Sequence, residues 1–137
     1  MYFKQREHGF TLLELLVVMV IIGLLASIVG PRYFSQLSKS EVGTAEAQIS
    51  SLGKALDMYR LDTGHYPSEE AGLKALNSNP GNESKWRGPY LEDEVPIDPW
   101  DKPYVYRYPG EIKEYDLFSY GKDGRPGGNE DDADIYN

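Results

Sequence analysis

Hydrophobic side chains are unevenly spread along the chain, and their longest run lies near the amino terminus. Residues 10–29 read FTLLELLVVMVIIGLLASIV, in which Glu14 is the only ionisable residue. A helix of about twenty residues spans roughly 30 Å, the hydrocarbon thickness of a bilayer. The run is longer than the ~7–15 apolar residues of an ordinary secretory signal, and helix-like sequence follows it. The pattern predicts a membrane helix over residues 10–30 that the mature protein keeps.

Beyond this run the pattern becomes amphipathic. Over residues 34–59 apolar side chains recur at intervals of three to five, near the helical period. The same helix is therefore expected to continue through residues 31–61, with one face packed on a head formed by residues 62–137. Because proline removes a backbone donor and crowds the preceding turn, a kink or local melting is expected at Gly30 and Pro31.

The remaining pattern predicts a small α+β head. SEEAGLKALN at residues 68–77 indicates a short helix that Ser68 can cap and whose first turn suits two glutamates. Residues 103–108 and 115–120 are rich in β-favouring aromatic side chains, and a Pro-Gly pair at 109–110 lies near the turn between them. We expect a small antiparallel sheet packed on the amphipathic half of the long helix.

Charge and composition narrow the possible chemistry. The 137 residues carry 22 acidic and 14 basic side chains, a net charge of −8, and residues 91–137 alone hold thirteen acids against five bases. This argues against nucleic-acid binding, which needs clustered Lys and Arg. The absence of cysteine excludes disulfides, thiolate metal sites and a cysteine nucleophile. Nothing near His65 in the sequence suggests a metal or catalytic site, so a structural or exposed histidine is expected.

Two features of the amino-terminal region bear on how the chain is oriented in the membrane and on where Glu14 lies in it. Lys4 and Arg6 precede the apolar run, and since positive flanks stay cytoplasmic, the rest of the chain should lie on the far side of the membrane. Glu14 is costly in lipid and would then mark a function or a specific partner. Alternatively it lies near the interface and reaches water from the first turn. The residues alone leave both interpretations open.

The carboxy-terminal segment is the most acidic part of the chain. Five acids fall within residues 123–134, separated by glycines that let the backbone fold back. Carboxylate and main-chain oxygens on a flexible loop suit Ca²⁺, although the spacing is not that of an EF-hand. On the residues alone, a calcium loop over residues 120–135 and a solvated acidic tail are equally good interpretations.

The motif GFTLLEL at residues 9–15 resembles the prepilin processing site of type IV pilins and type II secretion pseudopilins. The resemblance implies that residues 1–9 are a leader, removed by a membrane prepilin peptidase between Gly9 and Phe10. It also implies methylation of the new Phe10 amino group. In a filament, Glu14 would pair with the Phe10 amine of a neighbouring subunit, which offsets the cost of burying either charge alone.

Head segments extend the resemblance over nearly the whole chain. PSEEAGLKAL, WRGPYLEDEVPIDPWDKPYVYRYPG and YDLFSYGKDGRPGG are similar to the major-pseudopilin family of type II secretion systems. The implied fold is the type IV pilin-like α+β fold. One departure is DPWD at residues 98–101, where the family usually has DPWG, which is expected to alter that turn and leave the fold unchanged.

The implied role is structural, not enzymatic. Members of this family assemble with themselves and with minor pseudopilins into a helical periplasmic fibre that drives export of folded proteins across the outer membrane. The fibre stands on an inner-membrane secretion platform. The resemblance thus places this chain in the inner membrane of a Gram-negative bacterium, with a single span and a periplasmic head.

Family resemblance also favours calcium over a solvated tail, since major pseudopilins bind one calcium ion in this loop. The implied ligands are Asp123, Asp131, Asp132 and the main-chain oxygens of Tyr120 and Arg125, with Asp134 or Glu130 as possible replacements. The ion could serve in place of the disulfide with which many type IV pilins close this loop.

Two other functions fit the sequence less well. A type IV pilin of an adhesion or motility fibre is disfavoured by the missing cysteine pair and by the head motifs. A membrane-anchored periplasmic enzyme is disfavoured because no nucleophile-base pairing or phosphate-cradling glycine loop is visible.

Overall fold

The computed structural model describes residues 8–137 in two compact units, which divide between Leu37 and Ser38. A single α-helix, α1, runs through both units. The elements in chain order are α1 (Leu12–Thr63), a 3₁₀ helix (Gly72–Leu76), strand β1 (Val105–Arg107), strand β2 (Asp116–Ser119), a second 3₁₀ helix (Glu130–Asp132) and strand β3 (Ile135–Tyr136). The predicted long helix followed by a small antiparallel sheet is confirmed.

In the amino-terminal unit, α1 begins two residues later than predicted because Thr11 caps it. The Glu14 amide donates to Thr11 Oγ1 at 3.2 Å, and the Thr11 amide donates to Glu14 Oε2 at 2.9 Å. This reciprocal pair is a capping box, which satisfies two backbone donors that the helix itself leaves unpaired.

The same unit exposes its apolar surface. Its large hydrophobic side chains in residues 10–34 are 49% to 87% exposed. One 18-residue window of α1 has a mean hydropathy of 2.9 and contains no buried residue. By length and composition this part of the helix could therefore cross a membrane.

Helical structure continues without a break through Gly30 and Pro31. The local melting predicted there does not occur in this structure. Proline removes one backbone N–H donor from the helix, and the other backbone hydrogen bonds of the 52-residue helix keep it continuous at this point.

In the carboxy-terminal unit, one face of α1 is buried. The buried positions lie at helical spacing, each three, four or seven residues from another: Ser38, Ala45, Ile49, Leu52, Ala55, Leu56, Tyr59 and Thr63. The head covers this stripe with Tyr66, Leu73, Ala75, Leu76, Tyr104, Tyr106, Tyr115, Leu117 and Ile135. The predicted packing of the sheet on the amphipathic half of the helix is confirmed.

The sheet has the order β1-β2-β3, with both pairs antiparallel. Val105 pairs with Phe118 in the first pair, and Ser119 pairs with Ile135 in the second. The predicted strand pair is confirmed, although both strands are shorter than expected. Strand β3 was not predicted, because its two residues are too few to show a period of two.

The helix predicted at residues 68–77 is wrong in type and length. The structure has a 3₁₀ helix over Gly72–Leu76, preceded by a turn in which the Ala71 amide donates to Ser68 Oγ at 3.2 Å. Gly72 has a φ of +60°. That left-handed conformation cannot lie inside an α-helix, so the expected helix is divided at this residue.

Tyrosines fill much of the core, and several of their hydroxyls donate hydrogen bonds within it. Tyr106 donates to the Pro67 carbonyl at 2.7 Å, and Tyr66 donates to Asp57 Oδ1 at 2.9 Å. Burial raises the pKa of Tyr104 to about 12, helped by the charge of Asp98. These rings therefore supply apolar area while their hydroxyls keep hydrogen-bond partners.

Asp116 is a buried carboxylate at the start of β2, and it organises the turn that precedes the strand. Its oxygens accept the amides of Glu111 at 2.6 Å, Lys113 at 3.1 Å and Ile112 at 3.3 Å. Burial alone would raise the pKa of Asp116. The three amides and the nearby Arg107 charge outweigh burial, so the pKa of Asp116 lies below its usual range.

We predict that Asp116→Asn lowers the melting temperature at pH 7 by a few degrees, because the new side-chain amide would face backbone donors. Since the folded-state pKa of Asp116 is depressed, its stabilisation is present above the unfolded-state pKa near 4 and is lost as the pH falls through the folded-state value. The pH dependence of melting below about pH 4 should therefore flatten in the variant. Asp93→Asn, at an exposed position, is the control. Identical acid profiles for Asp116→Asn and the unaltered chain would contradict this role.

Candidate functional site

The predicted processing site lies just outside the helix. Residues 8–11 are non-helical and exposed, and the Phe10 side chain is 85% exposed. The Gly9–Phe10 peptide bond is therefore in a segment that a protease could engage without unfolding α1. The remainder of the predicted leader, including Lys4 and Arg6, lies outside the described residues.

Glu14 has a partner in its own chain that the sequence analysis did not anticipate. Its Oε2 atom accepts the Thr11 amide within the capping box, whereas Oε1 has no hydrogen-bond donor among residues 8–137. The signal was present as Thr11-x-x-Glu14, the capping-box signature. The predicted pairing with a neighbouring Phe10 amine stays a prediction, and Oε1 is the oxygen open to it.

The acidic loop is residues 120–135, which follow β2 and end at the first residue of β3, and it folds back on itself. The Lys122 amide donates to the Asp131 carbonyl at 3.2 Å. A side chain on Gly121 would lie 2.6 Å from the Ala133 carbonyl oxygen, and one on Gly128 would collide with the Asp132 carbonyl oxygen. Glycine at these positions lets main-chain oxygens from one limb of the loop approach the backbone of the other.

The carboxylates of the acidic loop are engaged separately. Asp123 Oδ1 accepts the Arg125 amide at 3.0 Å, and Asp134 Oδ2 accepts the Gly127 amide at 3.0 Å. Asp131 and Asp132 lie in the second 3₁₀ helix. In the part of the chain that the structure describes, no three acidic or histidine side chains are grouped so that they could hold a metal ion. The predicted ligand set is thus not assembled as a carboxylate cluster.

Asp134 is the carboxylate whose surroundings best fit a cation. Its Oδ1 atom is buried and has no hydrogen-bond partner within residues 8–137. A buried, unsatisfied carboxylate oxygen is costly unless a donor or a cation meets it. Main-chain oxygens of Asp132 and Ala133 lie against glycine backbone nearby, and hard oxygens of both kinds are calcium ligands. The residues present fit the ion, with Asp134 more prominent than the sequence suggested.

His65 is exposed and contacts two neighbouring segments. Its Nε2 atom lies 2.8 Å from Glu83 Oε2 and its Nδ1 atom 2.9 Å from the Tyr66 carbonyl. These contacts join the end of α1 to the loop that follows the first 3₁₀ helix. No metal-binding group includes this ring in the described chain.

Two family models match the chain. The model described as type II secretion system protein G matches residues 32–137, and the prokaryotic N-terminal methylation motif matches residues 4–30. Together they cover the apolar segment and the whole head.

Relatives named type II secretion system core protein G align over nearly the full length. The protein of Pseudomonas aeruginosa is 42% identical over 137 residues, covering 98% of this chain and 96% of the relative. That of Pectobacterium carotovorum is 45% identical, covering 96% and 86%. That of Vibrio cholerae is 41% identical, covering 97% and 92%.

A solved structure matches as well. The crystal structure of the major pseudopilin from the type 2 secretion system of enterohaemorrhagic Escherichia coli aligns with a TM-score of 0.63 and 34% identity, covering 76% of this chain and 91% of that one. The agreement in motif, length and fold shows that this chain belongs to the type II secretion system protein G family, the family of the major pseudopilins.

Proposed function

We propose that this chain is the repeating subunit of a pseudopilus, a periplasmic fibre that drives export of folded proteins across the outer membrane. The supporting observation is the exposed apolar surface of the amino-terminal unit, whose large hydrophobic side chains in residues 10–34 are half exposed or more. Water is a poor environment for such a surface. Lipid covers it before assembly, and the same segments of neighbouring subunits cover it afterwards.

Processing and placement follow from the same segment. A prepilin peptidase cuts between Gly9 and Phe10, and the new Phe10 amine is methylated. This assignment is supported by the methylation-motif match over residues 4–30 and by the exposed, non-helical backbone at the cut. The mature chain then has a single inner-membrane span with its head in the periplasm, where it meets minor pseudopilins and the secretion platform. The role is structural, and no residue is assigned a catalytic task.

The Glu14 carboxylate sets the register in which subunits assemble. Cutting before Phe10 creates an ammonium group four residues from the carboxylate. Within one subunit the carboxylate already accepts the Thr11 amide through Oε2, and Oε1 is open. Pairing of Oε1 with the amine of the adjacent subunit offsets the cost of placing either charge among apolar helices. Subunits that are out of register leave both charges unpaired.

The function is tested by complementing a deletion strain with Glu14 variants. We predict that the unaltered chain restores fibre assembly and exoprotein release, whereas Glu14→Ala inserts in the membrane but assembles at least tenfold less fibre. Glu14→Gln separates the two roles of the side chain, because its amide oxygen can still complete the capping box but carries no charge. It should fail in assembly as Glu14→Ala does.

Thr11→Ala is the matched control, since it removes the capping hydroxyl and leaves the carboxylate. It should assemble far better than either Glu14 variant. Normal fibres from Glu14→Gln would overturn the charge-pairing account. Full exoprotein release in the deletion strain, or a motility defect without a secretion defect, would overturn the pseudopilus function.

We further propose that the acidic loop binds one Ca²⁺. Asp134 and Asp123 would supply carboxylate oxygens, and Asp131, Asp132 and main-chain oxygens of the loop would complete the set. The support is the orphaned Asp134 Oδ1 and the glycines that bring carbonyls of the two limbs together. A bound ion would neutralise part of the loop charge and join its limbs. In a chain without cysteine the bound ion would take the place of a disulfide that closes the loop.

We predict that calcium raises the melting temperature of the chain relative to chelator. At about 100 times its dissociation constant, a ligand specific for the folded state adds about 2.7 kcal/mol. Asp134→Asn and Asp123→Ala should each lose most of this calcium-dependent shift, and the control Glu92→Gln, on an exposed residue outside the loop, should keep it. Equal melting temperatures for the unaltered chain in calcium and in chelator would refute the ion site.

A further inference from the structure

Lys102 lies on the acidic loop, although it belongs to a different segment of the head. Its ammonium donates to the Lys122 carbonyl at 3.4 Å. Its stem covers Gly124 so closely that a side chain there would collide with Nζ and would lie 2.7 Å from Cε and 3.0 Å from Cδ. The φ of +65° at Gly124 favours glycine there, and the absence of a side chain leaves room for the end of the Lys102 stem.

A buried carboxylate fixes the backbone of Lys102. Asp98 is 3% exposed, and its Oδ1 atom accepts the amides of Lys102 at 2.8 Å and Trp100 at 3.1 Å. The Asp98 amide in turn donates to the Lys102 carbonyl at 2.8 Å. These bonds close a tight turn whose last residue is Lys102.

The same carboxylate is connected to the first residues of the acidic loop. Asp98 Oδ2 accepts the hydroxyl of Ser119 at 2.7 Å, and the oxygen of that hydroxyl accepts the Gly121 amide at 3.1 Å. The turn that carries Lys102 and the start of the loop are therefore fixed to one buried group. The fold therefore fixes the backbone from which the Lys102 side chain extends over the loop, and the ammonium reaches the Lys122 carbonyl through its flexible stem.

The DPWD turn accommodates its unusual last residue. Asp101 has a φ of +61°, the left-handed conformation that glycine adopts at no steric cost. Aspartate tolerates this conformation better than most residues, and the predicted alteration relative to a DPWG turn stays a prediction. The chain therefore reverses at Asp101 and directs Lys102 to the loop.

The Lys102 ammonium contacts a loop that is strongly negative. The loop carries five acids against two bases, Lys122 and Arg125, so its side chains sum to −3. Lys102 forms no ion pair with a carboxylate within 4 Å in the described chain. It acts instead through the carbonyl dipole that it contacts and through the longer-range field of the loop.

We propose that Lys102 is a tethered cation that stabilises the acidic loop without an ion and opposes calcium binding to it. Its positive charge favours the folded loop while the carboxylates lack another cation, and it repels Ca²⁺ by like charge. The second part rests on the calcium site proposed above, whereas the first rests only on the loop geometry. Lys102 thereby sets the calcium concentration at which the calcium-free loop, stabilised by the lysine charge, gives way to the calcium-bound loop.

The test uses the full chain in detergent, with melting temperature and calcium affinity as readouts. Lys102→Met keeps most of the apolar stem and removes the charge, and Lys102→Arg keeps a charge. Lys122→Met removes the same charge from the loop itself, at an exposed side chain whose ammonium makes no hydrogen bond or ion pair with residues 8–137.

In chelator, Lys102→Met should melt several degrees below Lys122→Met, and the difference should shrink at high salt because screening weakens the charge term. In calcium titrations, Lys102→Met should bind Ca²⁺ about two- to fivefold more tightly than the unaltered chain, as expected for removing one like charge near the site. Lys102→Arg should stay near the unaltered chain in both measurements.

Equal melting of Lys102→Met and Lys122→Met in chelator would overturn the stabilising role, and a difference insensitive to salt would assign it to stem packing alone. Calcium binding that is unchanged or weaker in Lys102→Met would overturn the opposing role. If no variant responds to calcium, the ion site and the opposing role both fail, and the chelator comparison still decides whether Lys102 holds the loop.

Discussion

Between Ala45 and Tyr59, one face of α1 is closed to water by the sheet and by the segments that lead into it. Strands of three, four and two residues cannot form a stable sheet by themselves. The helix supplies the apolar surface that they lack, and each large side chain of the stripe contributes roughly 1.5–3 kcal/mol on burial. The rest of the head depends on this contact, because Tyr106 and Asp116 lie in strands that need the helix, and Asp98 is bonded to Ser119 of the same sheet.

One continuous helix thus meets two different environments. Up to Leu37 its large apolar side chains are exposed, and from Ser38 onward one face is buried in the head. The apolar surface of the first segment is therefore not buried by folding of the head, and it is free to contact lipid or other subunits. Two polar features carry the proposed functions: Glu14 in the first turn of α1, and the acidic loop with Lys102 in the head.

The long-range pattern of the fold was predictable because it rests on periodicity. A twenty-residue apolar run, a helical stripe and two aromatic strands are visible in the residues themselves. The short helix at 68–77 was not, since a single left-handed Gly72 decides it, and β3 is too short to show a pattern. For the candidate site, GFTLLEL points to Glu14, whose role in assembly stays a prediction, whereas its intrachain cap follows from the Thr11-x-x-Glu14 spacing. The prominence of Asp134 over its acidic neighbours depends on which oxygen is buried and unpaired, and a sequence does not show that.

All side chains of the hydrophobic core belong to residues 38–137. We therefore expect the head to fold without the amino-terminal half of α1, whose apolar surface is left for contacts with the membrane and with other subunits. The most direct test is the thermal unfolding of a chain comprising residues 38–137, followed by near-ultraviolet circular dichroism of its buried tyrosines. The account predicts a soluble chain with a strong near-ultraviolet signal that is lost in one cooperative transition. A chain with helical far-ultraviolet signal but no near-ultraviolet signal and no cooperative transition would contradict it.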